Sequence, residues 1–147
     1  MKMCWKMIKK VKAVPDTNVI ISSIFWRGPP YRVMKHGFER EYIILTSPEI
    51  IDEVIDRLKY KFNLPENRIH DLIGILIAFS LVVEPSRRIN AVEDDPDDNK
   101  IIECAVEGNA DYIVSGDKHL LNVEKFEYVE IVTPKEFIEL KIQKPPA

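Results

Sequence analysis

A chain of 147 residues, 46% hydrophobic and 31% charged, is about one domain long and can bury a core without disulfide or metal staples. Its formal charge of −3 argues against a protein that grips nucleic acid over its whole surface, and its two distant cysteines, Cys4 and Cys104, form neither a zinc ribbon nor a redox pair and read as reduced thiols of a cytoplasmic protein. The longest apolar stretch, Leu72 to Val83, is interrupted by Gly74 and Ser80 and falls short of the roughly 20 residues that cross a bilayer, and residues 1–10 lack the sustained apolar core of a secretory signal.

Val11, Ala13 and Val14 predict a short first strand, and Val19, Ile20, Ile21 and Ile24 then recur at helical spacing. Between them Pro15-Asp16-Thr17-Asn18 reads as a strand-to-helix turn. Such a turn places Asp16 at the carboxyl edge of a sheet, where open α/β folds bind ligands. The ordinary job of an Asp there is to cap the next helix. Trp26-Arg27-Gly28-Pro29-Pro30 is a loop, and a second helix is expected from Pro30 to about Arg40, with Val33, Met34 and Phe38 on its apolar side. Tyr42 to Leu45 reads as a buried strand. Ser47 then caps, and Pro48 opens, a third helix to about Phe62 that buries Ile50, Ile51, Val54, Ile55 and Leu58. Glu53 lies beside Ile50 but off the centre of that stripe, so it can flank a cleft. After the break at Asn63-Leu64-Pro65 a fourth helix to Phe79 is apolar on several sides, which leaves one face for a partner.

Leu81-Val82-Val83 predicts a third strand ended by Pro85, followed by a polar segment from Ser86 to Glu93 and the acid run Asp94-Asp95-Pro96-Asp97-Asp98-Asn99. Ile101, Ile102, Ala105 and Val106 form a helix stripe stopped by Gly108, and Tyr112-Ile113-Val114 is a fourth strand leading into the turn Ser115-Gly116-Asp117. Leu120-Leu121 makes a short helical turn, Tyr128 to Val132 a last strand, and Thr133-Pro134 starts a closing helix from about Lys135 to Lys141 before the tail Lys144-Pro145-Pro146-Ala147. Strands alternating with helices predict an α/β fold: a three-layer sandwich with a mainly parallel central sheet of about five strands flanked by helices. One domain is expected over residues 1–147, with its core at about 11–141.

In a parallel sheet the carboxyl ends of the strands share one edge, so Asp16, Asp98 and Asp117 can converge. Each alone reads as a helix cap or a solvated acid. Three at one edge, with the acid-bearing third helix between them, are better explained by a metal pocket, because carboxylates held close repel unless a proton or cation intervenes. Oxygen ligands suit Mg²⁺ or Mn²⁺. Setting the four acids aside leaves a weakly basic remainder, so a polyanionic substrate stays admissible. No Ser or Cys with a paired base is evident, and His36, His70 and His119 are dispersed and read as surface or helix residues.

Val14-Pro15-Asp16-Thr17-Asn18-Val19, Ser47-Pro48-Glu49-Ile50-Ile51-Asp52-Glu53-Val54, Asp95-Pro96-Asp97-Asp98-Asn99-Lys100-Ile101-Ile102-Glu103-Cys104-Ala105 and Ala110-Asp111-Tyr112-Ile113-Val114-Ser115-Gly116-Asp117-Lys118-His119-Leu120-Leu121, in this order, resemble a PIN domain, closest to the VapC-like toxins of toxin-antitoxin pairs. The resemblance spans roughly Val11 to Ile138. It implies a metal-dependent endoribonuclease with Asp16, Glu53, Asp98 and Asp117 as catalytic acids. Asp16 and Asp98 would ligate Mg²⁺ or Mn²⁺ directly, and Glu53 and Asp117 directly or through water. Thr17 and Ser115 match hydroxyls that steady such a pocket, Asn18 follows the first motif, and Glu49, Asp95 and Asp97 are the alternatives to Glu53 and Asp98. Pro15 departs from the family pattern by removing a backbone donor before the Asp.

Single-stranded or structured RNA is the implied substrate, with Trp26, Arg27, Arg87, Arg88 and Lys118, beside His119, as candidates for stacking and phosphate contacts. Their ordinary reading is as solvated loop residues. A homodimer is implied too, with the helices Pro48 to Phe62 and Pro65 to Phe79 near the subunit contact or an antitoxin contact. Two other readings compete. A PIN-fold RNA-processing factor or non-catalytic RNA-binding scaffold would have no need of all four acids. A phosphatase of the haloacid dehalogenase type needs a second Asp where this chain has Asn18.

Overall fold

A computed structural model of the chain describes residues 10–93 and 96–142; Cys4, Asp94, Asp95 and the tail Lys144–Ala147 lie outside them. Six strands form one sheet: β1 (Lys12–Pro15), β2 (Ile43–Thr46), β3 (Ser80–Val82), β4 (Tyr112–Val114), β5 (Lys125–Phe126) and β6 (Val129–Val132), in the order β3-β2-β1-β4-β6-β5. Every pairing is parallel except the β5–β6 hairpin. The helices are α1 (Thr17–Phe25), α2 (Pro29–Phe38), α3 (Pro48–Tyr60), α4 (Glu66–Ala78), α5 (Asn99–Glu107), α6 (Lys118–Val123) and α7 (Pro134–Glu136), with a 3₁₀ turn at Pro96–Asp98 ahead of α5 and a π-helical stretch, Phe137–Ile142, after α7.

Central strands buried on both faces should read as unbroken apolar runs. Ala13 and Val14 of β1 and Ile113 and Val114 of β4 do so, and all are buried. From β1 the chain steps outward through β2 to β3, then returns to lay β4 on the other side of β1. The strand order therefore reverses between β1 and β4, and the crevice beyond their carboxyl ends is where a sheet of this kind leaves room for a ligand. Main-chain bonds from the Asp16 amide to the Val114 carbonyl (3.0 Å) and from the Ser115 amide to the Val132 carbonyl (2.9 Å) carry the ladder to that edge.

The predicted α/β sandwich is observed, with three local differences. The sheet has a sixth strand, Lys125–Phe126, which the polar sequence before Tyr128 concealed; it folds back on β6 through a turn in which Glu127 has φ 54°. The closing helix is wound as a π-helix beyond Glu136, where adjacent Phe137 and Ile138 are both buried and the Phe137 ring meets those of Tyr42 and Tyr112 at centroid distances of 5.0 and 5.8 Å. The segment after β3 is more than a solvated loop: Ile89 and Val92 are buried, and two side chains of α5 hold its backbone. Gly108, the expected helix stop, caps α5 where any Cβ would lie 2.7 Å from Leu45 Cδ1. No helix among the described residues is long and apolar enough to cross a membrane.

Candidate active site

Asp16 is only 4% exposed and sits where β1 hands over to α1. One carboxylate oxygen caps the helix by accepting from the Val19 amide (2.8 Å), and the other accepts from the Ser115 hydroxyl at the end of β4. Ser115 in turn accepts from the Asp117 amide at 2.9 Å, and Asp117 caps α6 through the His119 amide at 2.7 Å. The capping role expected of an ordinary Asp is thus real for both residues, and it fixes the two carboxylates on one edge of the sheet. Asp98, at the start of α5, makes no side-chain capping bond.

α3 brings the fourth acid. Glu53 accepts from the Thr17 hydroxyl through Oε1, and its Oε2 lies 3.2 Å from Arg57 Nη2 and 3.3 Å from Lys100 Nζ. Arg57 also donates to Asn18 Oδ1, so α1, α3 and α5 are tied at one point. Asp16, Thr17, Asn18, Glu53, Arg57, Asp97, Asp98, Ile101 and Asp117 line a single cleft of about 60 Å³. All four predicted catalytic acids and the supporting Thr17 and Asn18 therefore meet there, while Ser115 stands behind Asp16. Of the alternatives, Asp97 shares the cleft, whereas exposed Glu49 pairs with Arg88 at 3.3 Å; Asp95 lies outside the described residues.

The basic and aromatic candidates do not line the cleft. The Arg27 guanidinium stacks on Tyr31 (4.3 Å to the ring centroid), Arg87 pairs with Glu127 at 3.0 Å, and Arg88 reaches Glu49 and Glu103. Trp26 and Lys118 are exposed. Two cations went unnoticed in the sequence. Arg57 is detectable in principle, being four residues after Glu53 on one helix face. Lys100 carries no such signal, because its approach to Glu53 depends on how α5 packs beside α3.

Burial pushes the Asp16 carboxyl up to about 6; the Ser115 and Val19 donors pull it back in part, and the neighbouring charge of Asp117 raises it further. A carboxylate held out of water beside another is relieved by a cation. The donors at hand are all oxygens, which fit a hard divalent ion. Among the described residues the only trio of ligand atoms within 4.8 Å of one another is His36, Glu39 and Glu41, at the far edge of the sheet and partly engaged by the His36–Glu41 pair at 2.8 Å. The cleft acids do not form such a trio. His70 and His119 are exposed, as expected of surface residues. Buried Cys104 forms no disulfide, and burial pushes its thiol up to about 12.

No curated protein matches the sequence. A family model for the PIN domain matches residues 12–119, from the first residue of β1 into α6, and so contains all four cleft acids. PIN domains are in general metal-dependent nucleases, a hydrolase activity. The chain belongs to the PIN-domain family.

Proposed function

We propose that this chain is an endoribonuclease that hydrolyses RNA phosphodiester bonds with Mg²⁺ or Mn²⁺, and that it is the toxin of a toxin-antitoxin pair of the VapC-like kind. The convergence of Asp16, Glu53, Asp98 and Asp117 on one cleft at the strand-order reversal carries this reading. A bound divalent ion supplies positive charge against the scissile phosphate and makes water more acidic. Asp16 and Asp98 would hold the ion, and the Ser115 hydroxyl fixes the orientation of the Asp16 carboxylate. Asp117, whose Oδ1 is committed to the His119 amide, offers its other oxygen to orient the attacking water and take its proton. Water adds to phosphorus in line as the bond to the leaving oxygen breaks, and that oxygen takes up a proton.

The antitoxin, the homodimeric state and the cytoplasmic location belong to the same proposal, as does a single PIN-like domain over residues 1–147. Purified protein incubated with labelled single-stranded and hairpin RNA in Mn²⁺ or Mg²⁺ tests the activity. Cleavage is expected with either ion, lost in EDTA and reduced at least about 100-fold in Asp16→Asn, because the charge stabilisation is worth several kcal/mol. Equal cleavage by Asp16→Asn removes the assignment. Binding of RNA without cleavage by wild-type protein points instead to the non-catalytic scaffold.

A further inference from the structure

Resting on that reading, we infer that the cleft takes one divalent ion rather than two, because Lys100 and Arg57 already supply the positive charge on its Glu53 side. Two-ion nucleases hold their ions about 4 Å apart, so a second ion calls for further carboxylate oxygens in the same cleft. Glu53 is the acid that α3 brings to the cleft, and both of its oxygens are already taken: Oε1 by the Thr17 hydroxyl, Oε2 by Arg57 at 3.2 Å and Lys100 at 3.3 Å. The Glu53 and Lys100 side chains are each 18% exposed, so solvent screens their attraction only in part. Arg57 is fixed further by Asn18. An ion seated on Glu53 has to displace an ammonium and leave it shielded beside another cation, which is costly.

The other side of the cleft is built differently. The hydrogen-bond donors to Asp16 are the Ser115 hydroxyl and the Val19 amide, and Asp117 accepts from the His119 amide. These neutral groups orient the carboxylates without cancelling their charge, and the Arg57 charge is the smallest of the influences on Asp16, so most of the demand for a cation stays there. Lys100 and Arg57 are thus positioning residues. They hold Glu53 out of the ion's coordination shell and keep a fixed positive charge beside the place where phosphate must lie.

Calorimetry of the full chain with MnCl₂, without RNA, reads this directly. Wild type is expected to bind one equivalent. Asp16→Asn should weaken binding at least about 100-fold, and Glu53→Gln only about tenfold, the lower end of what losing an outer-shell partner costs. The double variant Arg57→Gln, Lys100→Gln removes both cations from Glu53 and should expose a second, weaker equivalent, whereas Lys100→Arg should keep one. Two Asp16-dependent equivalents in wild type, or a Glu53→Gln loss as deep as that of Asp16→Asn, overturns the inference and leaves the nuclease reading standing. Binding indifferent to Asp16→Asn removes both. Circular dichroism melts check folding, and if the double variant does not fold, the wild-type stoichiometry and Glu53→Gln decide.

Discussion

Asp16 is a residue whose site chemistry works against the fold. The folded protein holds its carboxyl proton more tightly than the unfolded chain does, because burial lifts the group from its ordinary 3.8 to about 6. More protons are then bound in the folded state between about pH 4 and pH 6, and stability falls as pH rises through that window. Asn in its place can still accept from the Val19 amide and meet the Ser115 hydroxyl, but carries no charge to desolvate. In EDTA at pH 7, Asp16→Asn is therefore expected to be more stable than wild type by about 2 kcal/mol, and the gain to vanish near pH 4. Urea unfolding at the two pH values measures it; a variant less stable than wild type at pH 7 shows that the lost hydrogen-bond geometry outweighs the relief from desolvation. Saturating Mn²⁺ is expected to offset the difference, because it stabilises wild type more than the variant.

The segment between β3 and the 3₁₀ turn shows what an element without regular structure needs in order to stay in place. Asn99 accepts from the amides of Ala91 (3.0 Å) and Val92 (2.7 Å) and donates to the Val92 carbonyl (3.3 Å), and buried Glu103 accepts from the Ile89 amide at 2.9 Å. These bonds stand in for the ladder a strand would have supplied. Asn99→Ala leaves the buried Val92 amide and the half-buried Ala91 amide unsatisfied and is expected to cost about 2–4 kcal/mol in urea unfolding, with faster hydrogen exchange at Ala91 and Val92. A loss below 1 kcal/mol would mean that water replaces the side chain there. The same segment lies where local sequence signals end. The strands and the acids at their ends were legible because apolar runs, Pro-Asp turns and capping residues are local signals. The roles of Asn99, Glu103 and Lys100 were not, since each acts on backbone or charge delivered by another element. β5 and the π winding after Glu136 were hidden likewise, one by a polar sequence and the other by the demand to bury Phe137 and Ile138 together.

At the scale of the whole molecule, the sheet ends differently on its two sides. β5 closes one edge as a short antiparallel strand, whereas β3 leaves Leu81 (49% exposed) and Val82 uncovered beside Ile75 and Ile77 of α4, which are 47% and 46% exposed. A groove of about 400 Å³ between α3 and α4, lined by Ile55, Ile69, Ile73 and Ile77, adjoins them. Apolar surface gathered on neighbouring elements of a small protein is costly to leave in water, and covering it with the same patch of a second copy is the simplest closed arrangement. β2 separates β3 from β1, so a contact at this edge leaves the acid cleft, at the carboxyl ends of β1 and β4, open to RNA. Light scattering on the purified chain is expected to give twice its mass at micromolar concentration. The double variant Ile77→Asp, Leu81→Asp should give the single mass while keeping Mn²⁺ affinity and RNA cleavage, since neither residue touches the cleft. A wild-type protein that elutes at the single mass, or a variant that stays paired, assigns the dimer contact elsewhere or removes it. If the variant separates the copies and abolishes cleavage, the cleft is incomplete without its partner.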